Sequence, residues 1–253
     1  MSLVATAPVW AKQTSVPQCA SLPGEAPVVV VGAGLAGVAT AVFLAEAGFA
    51  PVVLDARGRV GDGVSGRRNG LALPLLTDMP HRLICALGEP AGRMLTAYAK
   101  RGIFLLEECQ LLDPTGALLA AAMPQERESH EEDLAALRAL DIAGQPWSAD
   151  QVHERTGTQQ FGPGLWLPEA GRIDPGTAPS RLALRAHKAG AQFLFNTTVT
   201  KLHNETNGMR VQTTAGDVRC DVVVLASNAA TAQLDPWFED KVYPVRTQLA
   251  AWP

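Results

Sequence analysis

The stretch Val28-Val-Val-Val-Gly-Ala-Gly-Leu-Ala-Gly37 decides the fold of this chain. A run of β-branched valines is typical of a strand that is buried on both faces of a sheet. The glycines that follow, Gly32, Gly34 and Gly37, have the G-x-G-x-x-G spacing of a dinucleotide-binding turn. The first glycine permits the tight turn, the second lets backbone approach a pyrophosphate, and the third lets the next helix pack closely on the sheet. We therefore predict an α/β fold with a Rossmann-like domain and a parallel sheet.

The residues on the C-terminal side of the turn support this prediction. An apolar helix is expected over residues 35–47, and the N–H groups of Leu35 and Ala36 at its start would face the phosphates. A second short strand, residues 52–54, is followed by Asp55. An acid about 20 residues after the glycines is where this fold presents a carboxylate to a ribose hydroxyl. A glycine-rich turn in an unrelated α/β protein is the alternative.

Composition narrows the class of protein. The chain has 253 residues, of which 47% are hydrophobic, and its net charge of −4 gives no general attraction to nucleic acid. Four scattered cysteines without a C-x-x-C pair predict reduced thiols in a cytoplasmic protein, and no metal site is expected. No apolar run is long enough to span a membrane, so no membrane partner is expected.

A long loop after Asp55 is the second candidate site. Residues 56–70 are dense in glycine and arginine, and such a loop at the carboxyl end of a parallel sheet lies where α/β folds bind ligands. Its polar donors suit phosphate oxygens. The candidate residues are Ser65, Gly66, Arg67, Arg68 and Asn69. A solvated surface loop without a ligand is the alternative.

The remaining chain predicts helices, turns and short strands. Helices are expected over residues 80–108 and 126–140, and another helix is expected to start at Asp174. Ser148 is a candidate N-cap of a short helix. Residues 221–226 read as a second fully buried strand that ends in Ser227-Asn228, where small residues would allow close approach of a ligand.

These blocks together resemble the D-amino-acid oxidase superfamily of FAD-dependent oxidoreductases, which includes glycine oxidase and sarcosine oxidase. The resemblance rests on residues 32–37 with Asp55, on residues 65–70, and on a late series that ends in residues 243–248. Within the superfamily, residues 65–76 resemble the oxidase domain of bifunctional tRNA 5-methylaminomethyl-2-thiouridine biosynthesis proteins. That domain oxidises a carboxymethylaminomethyl group on a wobble uridine, which is chemically an N-substituted glycine.

The resemblance implies a cofactor and its contacts. FAD would be held at its pyrophosphate by Gly32, Gly34 and Gly37, and Asp55 would bind the adenosine ribose. The backbone of Val199 would meet the adenine, and Ala226 to Asn228 would lie near the diphosphate. The loop residues Ser65 to Asn69 would border the phosphates and the flavin.

The chain departs from the family pattern at three places. Asn228 and Thr247 each replace a glycine, and Asn tolerates positive φ better than most residues. The chain also stops at Pro253, whereas family members are expected to continue for roughly a hundred residues more. We therefore expect a C-terminally truncated chain that needs a missing segment or a partner chain.

The resemblance also implies the domain organisation. Residues 1–26 are expected to form a leader or linker, and residues 27–114 the first part of the FAD-binding domain. A partial α+β substrate domain would be inserted over residues 115–170. The FAD-binding domain would resume over residues 171–242, and residues 243–253 would begin a return to the substrate domain.

Three functions remain open from the sequence. The first is FAD-dependent oxidation of a C–N bond in a small amine or amino acid, or in modified tRNA. The second is an NAD(P)-binding Rossmann protein, since NAD and FAD share the ADP half that the turn recognises. The third is a non-catalytic nucleotide-binding fragment. Arg246 is able to pair with a substrate carboxylate or to serve the structure alone, and no catalytic residue is predicted, because the cofactor carries the redox chemistry.

Overall fold

The computed structural model describes residues 15–76 and 78–245. Helices and strands alternate at the start of the chain, as predicted. The helices are α1 (Leu35–Glu46), α2 (Pro80–Leu87), α3 (Glu89–Glu108), α4 (Pro124–Glu128), α5 (His130–Ala139), α6 (Ala149–Thr156), α7 (Ala178–Lys188) and α8 (Thr231–Leu234). The strands are β1 (Glu25–Val31), β2 (Val52–Leu54), β3 (Leu71–Ala72), β4 (Ala117–Ala120), β5 (Gln145–Trp147), β6 (Gly164–Leu167), β7 (Gly171–Arg172), β8 (Gln192–Leu194), β9 (Val199–Glu205), β10 (Gly208–Thr213) and β11 (Gly216–Leu225).

A six-stranded sheet lies in the first compact unit, which among the described residues takes in 15–69 and 174–245. Its strand order is β8-β2-β1-β11-β10-β9. The neighbours β8, β2, β1 and β11 run parallel, and β11, β10 and β9 form an antiparallel meander. The valines of β1 pair with those of β2 and β11 and are at most 6% exposed. The predicted α/β fold with a Rossmann-like parallel sheet is confirmed.

Helices α1 and α7 pack against each other in this unit. The apolar side of α1 is buried at Val38, Ala41 and Val42. Arg185 of α7 also donates two hydrogen bonds to the carboxylate of Glu46 in α1, at 2.6 and 3.0 Å. The sequence predicted α1 to within a residue because β1, the glycine turn and the following apolar run specify the same βαβ unit.

The strand predicted over residues 221–226 differs from the structure. Residues 221–225 are the second half of the single ten-residue strand β11, which Ala226 follows, and they are not fully buried. Val222 is 50% exposed, whereas Val218 and Cys220 in the first half lie in the core. The prediction of complete burial was wrong because a run of valines shows that a segment extends, not that both faces of it are covered.

Arg210 links neighbouring strands of the meander. Arg210 of β10 donates hydrogen bonds to Glu205 at 2.8 Å and Asp217 at 3.0 Å. The hydrogen bond to Asp217 raises the pKa of the Arg210 guanidinium, and the hydrogen bond to Glu205 raises it less.

The Cys220 thiol of β11 is buried, and burial raises its pKa, so this cysteine is a poor nucleophile.

Residues Gly70–Ile173 form the second compact unit. An antiparallel sheet of order β4-β6-β5 packs with α2 and α5 around a core that includes Leu134, Leu137 and Leu165. Strand β3 follows the start of this chain segment and β7 precedes its end, and the two strands pair antiparallel. This unit begins 45 residues before the predicted insertion at 115, since α2 and α3 belong to it. The functional domain boundaries remain a prediction.

Two segments that were each predicted as one helix are each divided into two helices in the structure, one at a glycine and the other at a serine. Gly88, at φ +80°, ends α2 and precedes α3, and Ser129 separates α4 from α5. Asp174 does not start α7, because its carboxylate accepts the N–H of Gly176 in a turn, and the helix begins at Ala178. Ser148 caps α6 as predicted. None of the helices within residues 15–76 and 78–245 is long and apolar enough to cross a membrane.

Candidate functional site

The turn after β1 requires glycine at its first position. Gly32 has φ +111°, and its N–H donates to the carbonyl of Leu54 at 2.7 Å. A Cβ on Gly32 would lie 2.6 Å from the carbonyl oxygen of Ala226. The end of β11 therefore lies directly against the turn, and any side chain on Gly32 would push the two apart.

Gly37 brings the helix onto the same turn. A Cβ on Gly37 would overlap the carbonyl oxygen of Gly32 and lie 3.3 Å from the Cβ of Ala226. Only a glycine permits this approach of α1 to the turn. The packing role predicted for the third glycine thus has a geometric basis in the structure.

The N-terminus of α1 presents N–H groups at this corner. The N-cap residue is Gly34, and Ser65 acts as the acceptor for the first helical N–H, since its Oγ lies 2.9 Å from the Leu35 nitrogen. No acceptor among the described residues takes the N–H groups of Ala36 and Gly37. Such N–H groups, together with the positive end of the helix dipole, favour a bound anion.

Asp55 lies at the end of β2 and is fastened to the turn. Its carboxylate accepts the N–H of Ala33 at 2.6 Å and the N–H of Arg57 at 2.8 Å. Ala33 stands between the first two glycines, so the acid and the turn share one corner. A carboxylate has about four acceptor positions, which leaves positions for a ribose hydroxyl.

The loop after Asp55 folds back over the turn. Gly61 donates to the carbonyl of Ala33 at 2.9 Å, and Gly66 donates to the carbonyl of Gly61 at 2.9 Å. Gly61 is buried with φ +70°. Sequence reasoning missed Gly61, although the close pair Gly61 and Gly63 was a signal for a second tight turn. Ser65 reaches the helix because these bonds position it.

Three arginines of the loop gather around Asp62. Arg59 donates to its carboxylate from Nε at 3.0 Å and from Nη2 at 2.9 Å. Arg57 and Arg67 both donate to its backbone carbonyl at 3.3 Å. Arg67, predicted as a phosphate ligand, is thus held beside the other two guanidinium groups. Three positive charges against one carboxylate leave this loop cationic.

The other predicted residues occupy different places. Arg68 and Asn69 are exposed where the loop ends. Val199 is buried in the same core cluster as Val29, and its backbone pairs with Thr213. Asn228 has φ +55°, which agrees with the expectation that asparagine replaces a glycine at a positive φ. The contacts of all these residues with a cofactor remain predictions.

The described residues offer no alternative metal centre. Within residues 15–76 and 78–245, no group of three or more His, Cys, Asp or Glu side chains could hold a metal ion. The chemistry available at the corner is therefore that of glycine turns, helix N–H groups, a carboxylate and a cationic loop. This set fits the diphosphate and ribose of a dinucleotide.

A family model described as FAD dependent oxidoreductase (DAO) matches residues 27–253. The chain belongs to the DAO family. FAD is the cofactor of this family, and the corner formed by β1, α1 and the loop lies in the matched residues. The close backbone packing at Gly32 and Gly37 and the N–H groups at the start of α1 fit an FAD diphosphate. The structure and the family therefore agree on the cofactor.

Similar proteins include bifunctional proteins that are named for tRNA 5-methylaminomethyl-2-thiouridine biosynthesis. The tRNA 5-methylaminomethyl-2-thiouridine biosynthesis bifunctional protein MnmC of Shewanella amazonensis is 27% identical over 225 residues, which are 88% of this chain and 33% of that protein. The protein of the same name from Marinobacter nauticus is 27% identical over an alignment of 247 residues, and the alignment covers 91% of this chain and 36% of that protein. The chain thus spans about a third of the length of these relatives.

A solved structure of a glycine oxidase shares the fold. The crystal structure of glycine oxidase from Geobacillus kaustophilus has a TM-score of 0.66 and 21% sequence identity. The similarity covers 84% of this chain and 58% of that one. The resemblance to this family predicted from residues 32–37 and 65–70 is confirmed.

Proposed function

We propose that this chain holds FAD at the corner of β1, α1 and the loop 56–70, for oxidation of a C–N bond in a glycine-type amine. The observation that carries the proposal is the convergence of three elements on one turn. Ala226 and Gly37 both lie against Gly32, and Ser65 lies at the N-terminus of α1. The alternative NAD(P) reading has no comparable support, because the family that matches nine-tenths of the chain is FAD-dependent.

Each residue has a proposed task in holding the cofactor. The N–H groups of Ala36 and Gly37 would donate to the diphosphate, where the helix dipole also favours negative charge. Asp55 would accept a hydrogen bond from the adenosine ribose while it keeps the Ala33 N–H. The arginines around Asp62 would lower the electrostatic cost of bringing a dianionic diphosphate to this loop.

The proposed substrate is an amine that carries an N–CH2–COO⁻ group. FAD, when bound, supplies the chemistry that removes a hydride from the carbon next to the amine nitrogen, and the resulting imine hydrolyses in water. The carboxymethylaminomethyl group of tRNA wobble uridine contains such an N–CH2–COO⁻ group. The relatives named for tRNA 5-methylaminomethyl-2-thiouridine biosynthesis support this choice of substrate. Free glycine or sarcosine is the small-molecule form of the same substrate.

The relatives and the solved structure are longer than the stretch that this chain matches. We propose that a further segment or partner chain completes the substrate side, since the relatives are longer. Arg246, a candidate for the substrate carboxylate, lies outside the described residues. We place the reaction in the cytoplasm, because the four cysteines in the sequence form no predicted disulfide framework.

One pair of glycine variants tests the cofactor site. In Gly34→Ala, the new Cβ would meet only the Ser65 Oγ, at 3.1 Å, so the fold should tolerate it while the methyl group fills the space that a diphosphate needs. We expect FAD affinity to fall about tenfold or more, from the ~1–3 kcal/mol cost of overpacking. Gly63→Ala, in the loop 56–70, is the control, because nothing lies within 4 Å of its Cβ position.

The measurement is a titration with FAD, followed by quenching of flavin fluorescence, with NAD titrated in parallel. Purified protein would then be mixed with sarcosine, glycine or hypomodified tRNA, and flavin absorbance at the visible maximum recorded. A protein that binds NAD but not FAD would refute the proposal. Equal FAD affinity in wild type, Gly34→Ala and Gly63→Ala would refute the proposed site.

A further inference from the structure

Helix α3 of the second unit has a buried side and an apolar outward side. Gly92, Thr96 and Ile103 are buried, and a Cβ on Gly92 would lie 2.9 Å from the Leu140 side chain. At 3.6 residues per turn, the positions opposite this buried side are Met94, Ala97, Tyr98, Arg101, Leu105 and Glu108. An apolar helix side normally packs against another element, yet Tyr98 is 72% exposed.

The outward side carries one charge of each sign. Within Glu89–Glu108, all of which the structure describes, Arg101 and Glu108 are the charged residues on this side, and both are exposed. They lie seven residues apart, which is two turns or about 10.5 Å along the helix axis. Leu105 lies between them. Opposite charges therefore stand on either side of an apolar residue along one line of the helix.

Arg101 is already oriented on this side of α3. Its guanidinium carbon lies 4.8 Å from the centroid of the Phe104 ring, which is a cation–π contact. Phe104 flanks Leu105 and is 46% exposed. Because the Phe104 ring restricts the arginine side chain, less conformational entropy is lost when Arg101 meets a carboxylate.

We propose that α3 is a self-association surface, which pairs antiparallel with α3 of a second copy of this chain. A two-fold axis beside Leu105 places Arg101 opposite the partner's Glu108 and Glu108 opposite the partner's Arg101. The contact is self-complementary, as an interface between two identical chains must be. Its centre consists of Leu105 and Phe104 from both copies, between two ion pairs.

The charges specify one alignment of the two helices. A shift by seven residues in one direction places the two copies of Arg101 opposite each other, and a shift in the other direction does so for Glu108. Like charges repel in both cases, so only one of these three alignments is attractive. One pair of helices buries less than the about 1,200 Å² of a stable interface, so we expect a weak, reversible dimer.

The test is sedimentation equilibrium of the full chain from about 1 to 300 μM. The monomer has a mass of 26.7 kDa, and a dimer has twice that mass. We expect Arg101→Glu and Glu108→Arg each to weaken the dimer about tenfold or more, because either change turns two attractive pairs into repulsive ones. The double variant Arg101→Glu/Glu108→Arg should return to within about threefold of wild type, since it restores opposite charges.

Glu107→Arg is the matched control. Glu107 is exposed on the same helix but lies about 100° around it from Glu108, so its reversal should change the dimer by less than about threefold. Circular dichroism on all four variants checks that each one remains folded.

Each outcome decides the inference. A wild type that stays monomeric throughout this concentration range would overturn it. A dimer that neither single variant weakens uses another surface, which also overturns the assignment to α3. Failure of the folded double variant to recover would contradict the antiparallel alignment, and an equal loss in Glu107→Arg would show that overall charge, not this side of α3, controls association.

Discussion

The close contact of Gly37 with the glycine turn makes Gly37→Ala the most informative substitution for stability. Alanine in a helix interior is ordinarily favoured over glycine by ~1 kcal/mol. At Gly37 the added Cβ would overlap the Gly32 carbonyl oxygen. That oxygen belongs to the backbone and cannot rotate away, so α1 or the turn must move.

The expected magnitude follows from two opposed effects. Overpacking in a well-packed site costs ~1–3 kcal/mol, and the contact with backbone places this site in the upper half of that range. Subtracting the helix preference leaves a net loss of ~1–2 kcal/mol. Gly102 of α3 is the control, because no atom lies within 4 Å of its Cβ position. There alanine should stabilise by the full ~1 kcal/mol.

Thermal unfolding followed by circular dichroism distinguishes the two variants. At ~2–4 °C for each kcal/mol, Gly37→Ala should lower the Tm by ~2–8 °C and Gly102→Ala should raise it by ~2–4 °C. Saturating FAD should raise the Tm of Gly102→Ala as it does that of wild type, but not that of Gly37→Ala. If both variants raise the Tm equally and both respond to FAD, the close packing of α1 on the turn is wrong.

Three further predictions concern local features. Asn228→Val should lower the free energy of unfolding by ~1–2 kcal/mol because a β-branched residue disfavours φ +55°, whereas Asn228→Gly should leave it within ~0.5 kcal/mol in urea titrations. Ser148→Ala should cost ~1 kcal/mol, since Ser148 accepts the Gln151 N–H at the start of α6; an unchanged urea midpoint would contradict this. The N–H groups of Met123 and Ala122 lower the pKa of the Glu126 carboxyl, so its stabilising effect is present above the ordinary glutamate value of 4.5 and is lost as the pH falls through the lower folded value. The Tm difference between wild type and Glu126→Gln should therefore shrink in acid and stay constant between pH 6 and 8.

The sequence predicted the first βαβ unit well because several local signals agree there. Strand, glycine turn, apolar helix and acid occur in the order that one fold requires, so β1, α1 and β2 lie where they were expected. Later elements lacked this agreement. The periodicity of residues 80–108 continues across Gly88, and the prediction gave it more weight than the stop signal of Gly88 and Pro90, at which the structure divides the helix.

The site was predictable in its residue types but not in its hydrogen bonds. Sequence spacing identified Gly32, Asp55 and Ser65, which the structure brings to one corner. The role of Gly61 and the attachment of Arg67 to Asp62 depend on how the loop folds back, and loop geometry has no periodic signal. The partial exposure of Val222 was equally hidden, because burial depends on what packs over a strand rather than on its own residues.

Because β11 is one continuous strand, opening of the hairpin at its start should affect the candidate cofactor site at its end. The same strand begins in the hairpin with β10, beside Asp217, and ends at Leu225, next to the Ala226 that lies against Gly32. Local opening of the hairpin would therefore loosen the corner where the diphosphate is expected, about 30 Å further along the extended chain at ~3.3 Å per residue. Faster amide hydrogen exchange in the meander should then accompany weaker FAD retention, so that the β10–β11 hairpin reports on how firmly the cofactor is held.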